Sequence, residues 1–185
     1  TGLSTNNPVA TSVPASGTSS QDFIVTIIAG VSTQAVEIDA SVSGATEQYS
    51  GRSLAVVNSG NNDLNVQVYA QATLLITSIV DLTASSPYVG GETFNIRVNY
   101  QNTGAVDVTG VDASIVWNGA TGLSASNPAS VIVPAGGTAF QDFTITIIAG
   151  VTTQSVTIDA SVSGATEEFS GRSMSAVSGA NDLTV

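Results

Sequence analysis

The sequence predicts an all-β protein made of antiparallel strands, and three observations support this prediction. Apolar and polar residues alternate strictly over long stretches, most clearly from Thr93 to Tyr100. An alternation with a period of two places the apolar side chains on one face of a β-strand. Turn-forming pairs such as Gly90-Gly91 and Asn118-Gly119 separate these stretches at spacings that suit antiparallel strands. No segment has the apolar period of an amphipathic helix.

Four of the predicted strands rest on an alternation of their own. The inward-facing sets are Phe94, Ile96, Val98 and Tyr100; Val111, Ala113, Ile115 and Trp117; Phe143, Ile145 and Ile147; and Val156, Ile158, Ala160 and Val162. In chain order, the strands predicted for the second part of the chain are 74–83, 93–102, 109–117, 130–133, 140–148, 154–162 and a last strand that begins at residue 182. About seven short strands in roughly 110 residues fit an immunoglobulin-like antiparallel β-sandwich.

The chain contains a long internal repeat. Residues 1–57 return 120 residues later as residues 121–177, with about two-thirds of the positions identical. The segment 72–120 appears only once, so the order along the chain is second half, first half, second half. We therefore predict tandem repeats in two parts: residues 1–72 form the C-terminal half of a repeat, and residues 73–185 form a complete one.

The half repeat carries an apolar face that has no opposing strands in its own sequence. Leaving such side chains in water forfeits about 1.5–3 kcal/mol each. Two explanations stay open: the sequence is a window on a longer array, or a neighbouring molecule supplies the early strands by donor-strand complementation. A head-to-tail contact of that kind does not close on itself and propagates as a filament. The residues predicted to form this self-assembly interface are Phe23, Val25, Ile27, Val36, Ile38 and Val42.

Composition narrows the function classes. The 185 residues are 42% hydrophobic and carry a net charge of −11, with 3 arginines and no lysine, histidine or cysteine. Nucleic acids and anionic membranes require clustered basic residues, so neither is an expected partner. No apolar run approaches the ~20 residues of a membrane span, so no membrane insertion is expected. The absence of an initiator methionine and of a recognisable signal peptide favours a processed end or an arbitrary cut at Thr1.

The sequence offers little for catalysis. Without His, Cys or Lys, general acid–base chemistry would fall to carboxylates or tyrosines. The one adjacent carboxylate pair is Glu167-Glu168, and neighbours on a strand point to opposite faces. We therefore expect that the protein is not an enzyme.

Two loops are candidates for calcium, which prefers hard oxygen ligands. Loop residues 59–63 and their counterparts 178–182 supply the candidate ligands Asn61, Asp63, Asn181 and Asp182. The alternative is that these Asn and Asp side chains form turns through bonds to the backbone. No other cofactor is expected.

Three further side chains each leave two interpretations. Trp117, the only tryptophan, is either a core residue or a sugar-stacking residue. Arg52 and Arg172 stand in matched Gly-Arg-Ser sequences. They either pair with nearby carboxylates, such as Glu47 and Glu167, or face a neighbouring subunit.

Short motifs in the complete repeat resemble a known family. They are Ser86-Pro87, Gly90-Gly91-Glu92 before a strand, Asn102-Thr103-Gly104 after it, and Val133-Pro134-Ala135-Gly136-Gly137-Thr138. Together they resemble the CARDB-like and S-layer-associated immunoglobulin-like repeats of prokaryotic surface proteins. The resemblance implies an extracellular, cell-surface stalk, adhesin, S-layer or filament component, and it does not imply catalysis.

The sequence thus favours a structural repeat of an extracellular filament, sheath or S-layer. Its expected partners are other copies of itself, joined by donor strands or head to tail. The alternative is a stalk or ligand-binding module of a cell-surface adhesin that binds sugar or depends on calcium.

Overall fold

The computed structural model describes residues 2–56 and 63–185, and every regular element in these ranges is a β-strand. This confirms the predicted all-β class. The chain divides into two compact units, Thr1–Tyr69 and Ala70–Val185. We refer to them as the half unit and the complete unit. Within the described ranges, no helix is long and apolar enough to cross a membrane.

The half unit has two separate pairs of antiparallel strands. Its strands are β1 (Leu3–Thr5), β2 (Val25–Ile27), β3 (Gln34–Ile38) and β4 (Leu64–Val68). Strand β1 pairs with β2, and β3 pairs with β4.

The complete unit is a sandwich of two antiparallel sheets. Its strands are β5 (Leu74–Asp81), β6 (Thr93–Asn102), β7 (Val108–Val111), β8 (Ala113–Val116), β9 (Leu123–Ala125), β10 (Val131–Val133), β11 (Thr138–Ile147), β12 (Thr157–Glu167), β13 (Ser173–Val177) and β14 (Leu183–Thr184). One sheet has the order β5-β6-β11-β9. The other has the order β10-β7-β12-β13, and β8 and β14 also pair with β12. This confirms the predicted immunoglobulin-like sandwich.

The core lies between the two sheets and follows the predicted alternation. On β6, Phe94, Ile96, Val98 and Tyr100 are each at most 1% exposed. They belong to one apolar cluster with Phe143 and Ile145 of β11 and with Ile158 and Val162 of the opposing sheet. Trp117 is half-buried and packs against this cluster, which favours its core interpretation over sugar stacking.

Two predicted strands differ from those in the structure. The strand predicted at 109–117 breaks at Asp112 into β7 and β8. The buried Gln141 amide bonds on both sides of the break: Nε2 donates to Asp112 Oδ1 at 3.0 Å, and Oε1 accepts from Ala113 N at 2.9 Å. Strand β12 runs beyond its predicted end at residue 162, because a bulge beside Gly164 (φ 83°) lets pairing with β13 continue.

Candidate functional site

The half unit reproduces two of the strand pairings of the complete unit. Leu3 stands opposite Ile27 in β1–β2, as Leu123 stands opposite Ile147 in β9–β11. The β3–β4 pair likewise matches β12–β14, with Ile38 opposite Leu64 in one and Ile158 opposite Leu183 in the other. Equivalent residues, which are 120 positions apart up to Val57 and 119 apart at Leu64 and Leu183, can therefore be compared directly.

The predicted interface residues are core residues in the complete unit and are exposed or half-buried in the half unit. Phe23 is 50% exposed, whereas Phe143 is 2% exposed. For Ile27 and Ile147 the values are 55% and 8%. For Val42 and Val162 they are 59% and 2%. Val25, Val36 and Ile38 are half-buried, whereas their counterparts Ile145, Val156 and Ile158 are buried.

The difference arises because the strands of the first half, β5 to β8, have no counterpart in the sequence of residues 1–69. In the complete unit these strands supply Phe94, Ile96 and Val98 to the core shared with β11 and β12. Each large side chain left in water forfeits about 1.5–3 kcal/mol. Exposed apolar side chains whose counterparts form a core are candidates for a protein–protein contact.

Polar contacts also join the two halves of the complete unit. Gln141 Oε1 accepts from the buried Tyr100 hydroxyl at 2.6 Å, and its Nε2 donates to the Ala129 carbonyl at 2.8 Å. Burial and the charge of Asp112 raise the pKa of Tyr100, so its hydroxyl stays protonated and donates. In the half unit, Gln21 holds the same orientation, with Nε2 donating to Val9 O at 2.7 Å.

A bidentate ion pair makes the second contact between halves. Arg97 Nε and Nη2 donate to the two carboxylate oxygens of Asp142 at 2.7 and 2.8 Å, and the guanidinium lies 3.7 Å from the centre of the Phe140 ring. The hydrogen bond from Arg97 lowers the pKa of Asp142. Asp22 is the equivalent carboxylate in the half unit.

The third contact is the buried carboxylate of Glu167. It accepts hydrogen bonds from Ser170 Oγ at 2.5 Å, from Arg172 Nη2 at 3.1 Å and from the backbone N–H of Ala72. Burial raises the pKa of Glu167, but the bonds from Arg172, Ser170 and Ala72 outweigh burial, and the pKa lies below its ordinary value. Arg52 pairs with Glu47 in the same way at 3.3 Å. Both arginines therefore pair with the carboxylates named as their candidate partners, and whether they also face a neighbouring subunit stays a prediction.

The depressed pKa of Glu167 makes the stability of the complete unit depend on pH. Because the folded pKa lies below the ordinary value of 4.5, its contribution is fully present above pH 4.5 and is lost as the pH falls through the folded pKa. We expect the urea midpoint of the complete unit, followed by Trp117 fluorescence, to fall on acidification below pH 4.5. Glu167→Gln should flatten this dependence, and the part that comes from Asp81 and Asp142, whose pKa values are also lowered, should remain. An equal slope in the variant would contradict this role of Glu167.

Two of the calcium candidates, Asn181 and Asp182, take part in structural hydrogen bonds. Asn181 Nδ2 donates to Ile76 O at 3.1 Å, and Asp182 Oδ1 accepts from Ser178 Oγ at 2.7 Å. Asp63 is exposed, and Asn61 lies outside the described residues. Within residues 2–56 and 63–185, no three acidic, His or Cys side chains come together to hold a metal ion. Calcium binding stays a prediction.

Comparison with known proteins leaves the family open. No family model matches the chain, and no curated protein matches it. Among solved structures, the ASH / PapD-like domain of human CEP192 (PapD-like domain 7) is similar, with a TM-score of 0.34 and 12% identity. The alignment covers 72% of this chain and 92% of that domain. The sandwich assignment rests on the sheet pairing described above, and the resemblance to CARDB-like repeats stays a prediction.

Proposed function

We propose that this chain is a structural repeat of an extracellular surface filament, sheath or S-layer, in which half units are completed by β-strands from other copies of the repeat. One observation carries the proposal. The half unit has the strand register of the complete unit, yet its core-facing side chains, such as Phe23 and Ile27, are exposed. The extracellular location comes from the resemblance to prokaryotic surface repeats.

The exposed apolar side chains of the half unit are suited to the addition of a β-strand. A sheet with open edges binds an incoming strand through main-chain hydrogen bonds, while alternate side chains fill the apolar positions. The complete unit shows what such an incoming segment looks like, because β5 and β6 present Leu74, Ile76 and Phe94 to the shared core. A contact between one end of a copy and the other end of the next is heterologous, and it builds a filament when the rotation between copies does not close a ring.

The test is the association of a chain extended after Val185 by residues 67–120. Residues 1–185 contain one first half and two second halves, and the extension supplies the missing first half because Val185 is equivalent to Val66. We expect species heavier than the monomer by light scattering, and elongated particles by negative-stain imaging. An extended chain that stays monomeric at high concentration with its apolar face still exposed would overturn the proposal.

The adjacent residues Ile27 and Ile28 provide a matched pair of variants. Ile27 is exposed, but its counterpart Ile147 is buried, whereas Ile28 and its counterpart Ile148 are both exposed. Ile27→Thr removes apolar area from the predicted contact and should weaken association about 10-fold, since the lost burial is worth about 1.5 kcal/mol. Ile28→Thr makes the same chemical change outside the contact and should leave association nearly unchanged. Equal effects of both variants would indicate non-specific aggregation.

A further inference from the structure

The Gly-Arg-Ser turn is formed in the same way in both units. Gly51 N donates to Glu47 O at 2.9 Å, and Gly171 N donates to Glu167 O at 3.0 Å. Ser50 and Ser170 each donate to the glutamate three residues earlier, and each accepts from the arginine N–H two residues later. The turn in the half unit therefore needs no partner to take its shape.

In the complete unit this turn holds the main chain that leads into β5. Glu167 Oε1 accepts from the N–H of Ala72, and Arg172 Nη2 donates to the carbonyl of Ala72 at 2.8 Å. Both polar groups of one peptide residue are thus bound by one ion pair. Ala72 is 3% exposed, and it stands two residues before the first strand of the sandwich.

In the half unit the same ion pair is open to solvent. The Glu47 side chain is 45% exposed, against 3% for Glu167, and Arg52 is 71% exposed, against 40% for Arg172. The segment that covers the turn in the complete unit belongs to residues 70–120, and the stretch 72–120 occurs once in these 185 residues.

We propose that Glu47, Ser50 and Arg52 form a docking site for the main chain that precedes the first strand of another copy of the repeat, at the residue equivalent to Ala72. The proposal rests on the completion of the half unit proposed above and adds a polar site to its apolar face. Glu47 accepts the N–H of the incoming residue, and Arg52 donates to its carbonyl. Because both contacts are to the backbone, the turn fixes where the incoming segment begins.

Other side chains in the half unit favour a copy of this repeat as the occupant. Gln141, Asp142 and Thr166 bind Tyr100, Arg97 and Thr109 of the first half in the complete unit. The half unit carries the same residue types at the equivalent positions: Gln21, Asp22 and Thr46.

Two residues whose counterparts contact side chains of the first half are of a different type in the half unit. Ile24 replaces Thr144, whose hydroxyl donates to Asn95 at 3.0 Å, and Ser20 replaces Phe140, which lies under Arg97. Both changes are on exposed side chains, so the buried contacts remain available.

The test follows from the number of first and second halves of the repeat in the chain. Residues 1–185 contain one first half and two second halves. Exchange of residues 70–120 between copies would fill one open half and empty another, so completion needs an additional first half. A chain extended by a second copy of residues 70–120 directly before Thr1 supplies it, because Thr1 is equivalent to Thr121.

The experiment is amide hydrogen exchange on this extended chain. We expect the amide of the copied Ala72 to be protected to the same degree as that of the original Ala72. Glu47→Ala should speed exchange at the copied amide about tenfold or more, because a hydrogen bond to a charged acceptor is lost. The original Ala72 amide, held by Glu167, is the reference within the same molecule. Glu37→Ala removes an exposed charge from β3 and should change neither amide.

Glu47→Gln, which keeps the size of the side chain, is a milder second variant and should act in the same direction. If the extension protects the amides of β2 and β3 but Glu47→Ala leaves the copied Ala72 unchanged, the docking site is wrong and the proposed function stands. If the extension leaves β2 and β3 exchanging as in the 185-residue chain, both proposals are overturned.

Discussion

Replacing Phe143 with alanine is expected to destabilise the complete unit by about 3–5 kcal/mol, as is usual for a buried aromatic side chain. Phe143 is 2% exposed and lies in the core cluster with Phe94 and Ile145. Removing its ring leaves a cavity that the surrounding strands cannot fill without moving. A loss of this size is a large part of the stability of an ordinary domain.

The same substitution at the equivalent position of the half unit is the control. Phe23 is 50% exposed, so Phe23→Ala should cost at most about 1 kcal/mol in the monomer. The cost should rise when the half unit is completed by the extended chain, because Phe23 then takes the place that Phe143 occupies in the complete unit.

Two measurements separate these effects. Trp117 is the only tryptophan and belongs to the complete unit, so a urea titration followed by its fluorescence reports the Phe143→Ala loss. Amide exchange of β2 and β3 at low protein concentration reports the Phe23→Ala effect. Equal losses of stability from Phe143→Ala and Phe23→Ala in the monomer would mean that the half unit already encloses Phe23. The interpretation that its apolar side chains are exposed would then be wrong.

The sequence predicted the strands that carry long apolar alternations. The strand predicted at 93–102 has the same bounds as β6, and the strand predicted at 140–148 overlaps β11 at Thr138–Ile147. In these strands every second side chain enters the core, so the pattern is strong enough to mark both the element and its buried face.

The sequence did not predict β9 and β13. Strand β9 has three residues, too few for an alternation to stand out. Strand β13 buries Met174 alone among its five residues, and its other side chains are small or exposed. Pairing with β12 decides both its existence and its register, and that pairing depends on a bulge beside Gly164 that no local pattern reveals.

The apolar part of the candidate site could be predicted, but most of its polar part could not. The repeat and the alternation together identified Phe23, Ile27 and Val42 as core-type residues that lack opposing strands. The roles of Gln141 and Asn102 depend on backbone groups brought together from distant parts of the chain. Asn102 is fully buried; its side chain accepts from Thr73 N and donates to Val106 O at 2.7 Å. Contacts of this kind follow from the fold and have no signature in sequence spacing.

Gly104→Ala is expected to have the second large effect, a loss of about 2–4 kcal/mol from the complete unit through overpacking and broken buried hydrogen bonds. A Cβ atom at this position would lie 2.2 Å from the carbonyl oxygen of Gln71 and 2.4 Å from the Cα of Ala72. Both are main-chain atoms, so the clash can be relieved only if the main chain before β5, residues 71–73, moves. That movement would strain the Ala72 bonds to Glu167 and Arg172.

Gly110→Ala is the control for this prediction, measured by the same Trp117 titration. A Cβ at Gly110 meets nothing within 4 Å, but its φ of +66° disfavours an L side chain, so we expect a cost of about 1–2 kcal/mol. Gly104→Ala could instead lower the free energy of unfolding by no more than Gly110→Ala does. Residues 71–73, which precede β5, would then not be held tightly between Gly104 and the Glu167–Arg172 pair. The docking site proposed for Glu47 and Arg52 copies that arrangement, so a tight fit at Gly104 also predicts that an incoming copy needs glycine at the same position. The Gly104→Ala change in the copied segment of the extended chain should therefore restore fast exchange in β2 and β3.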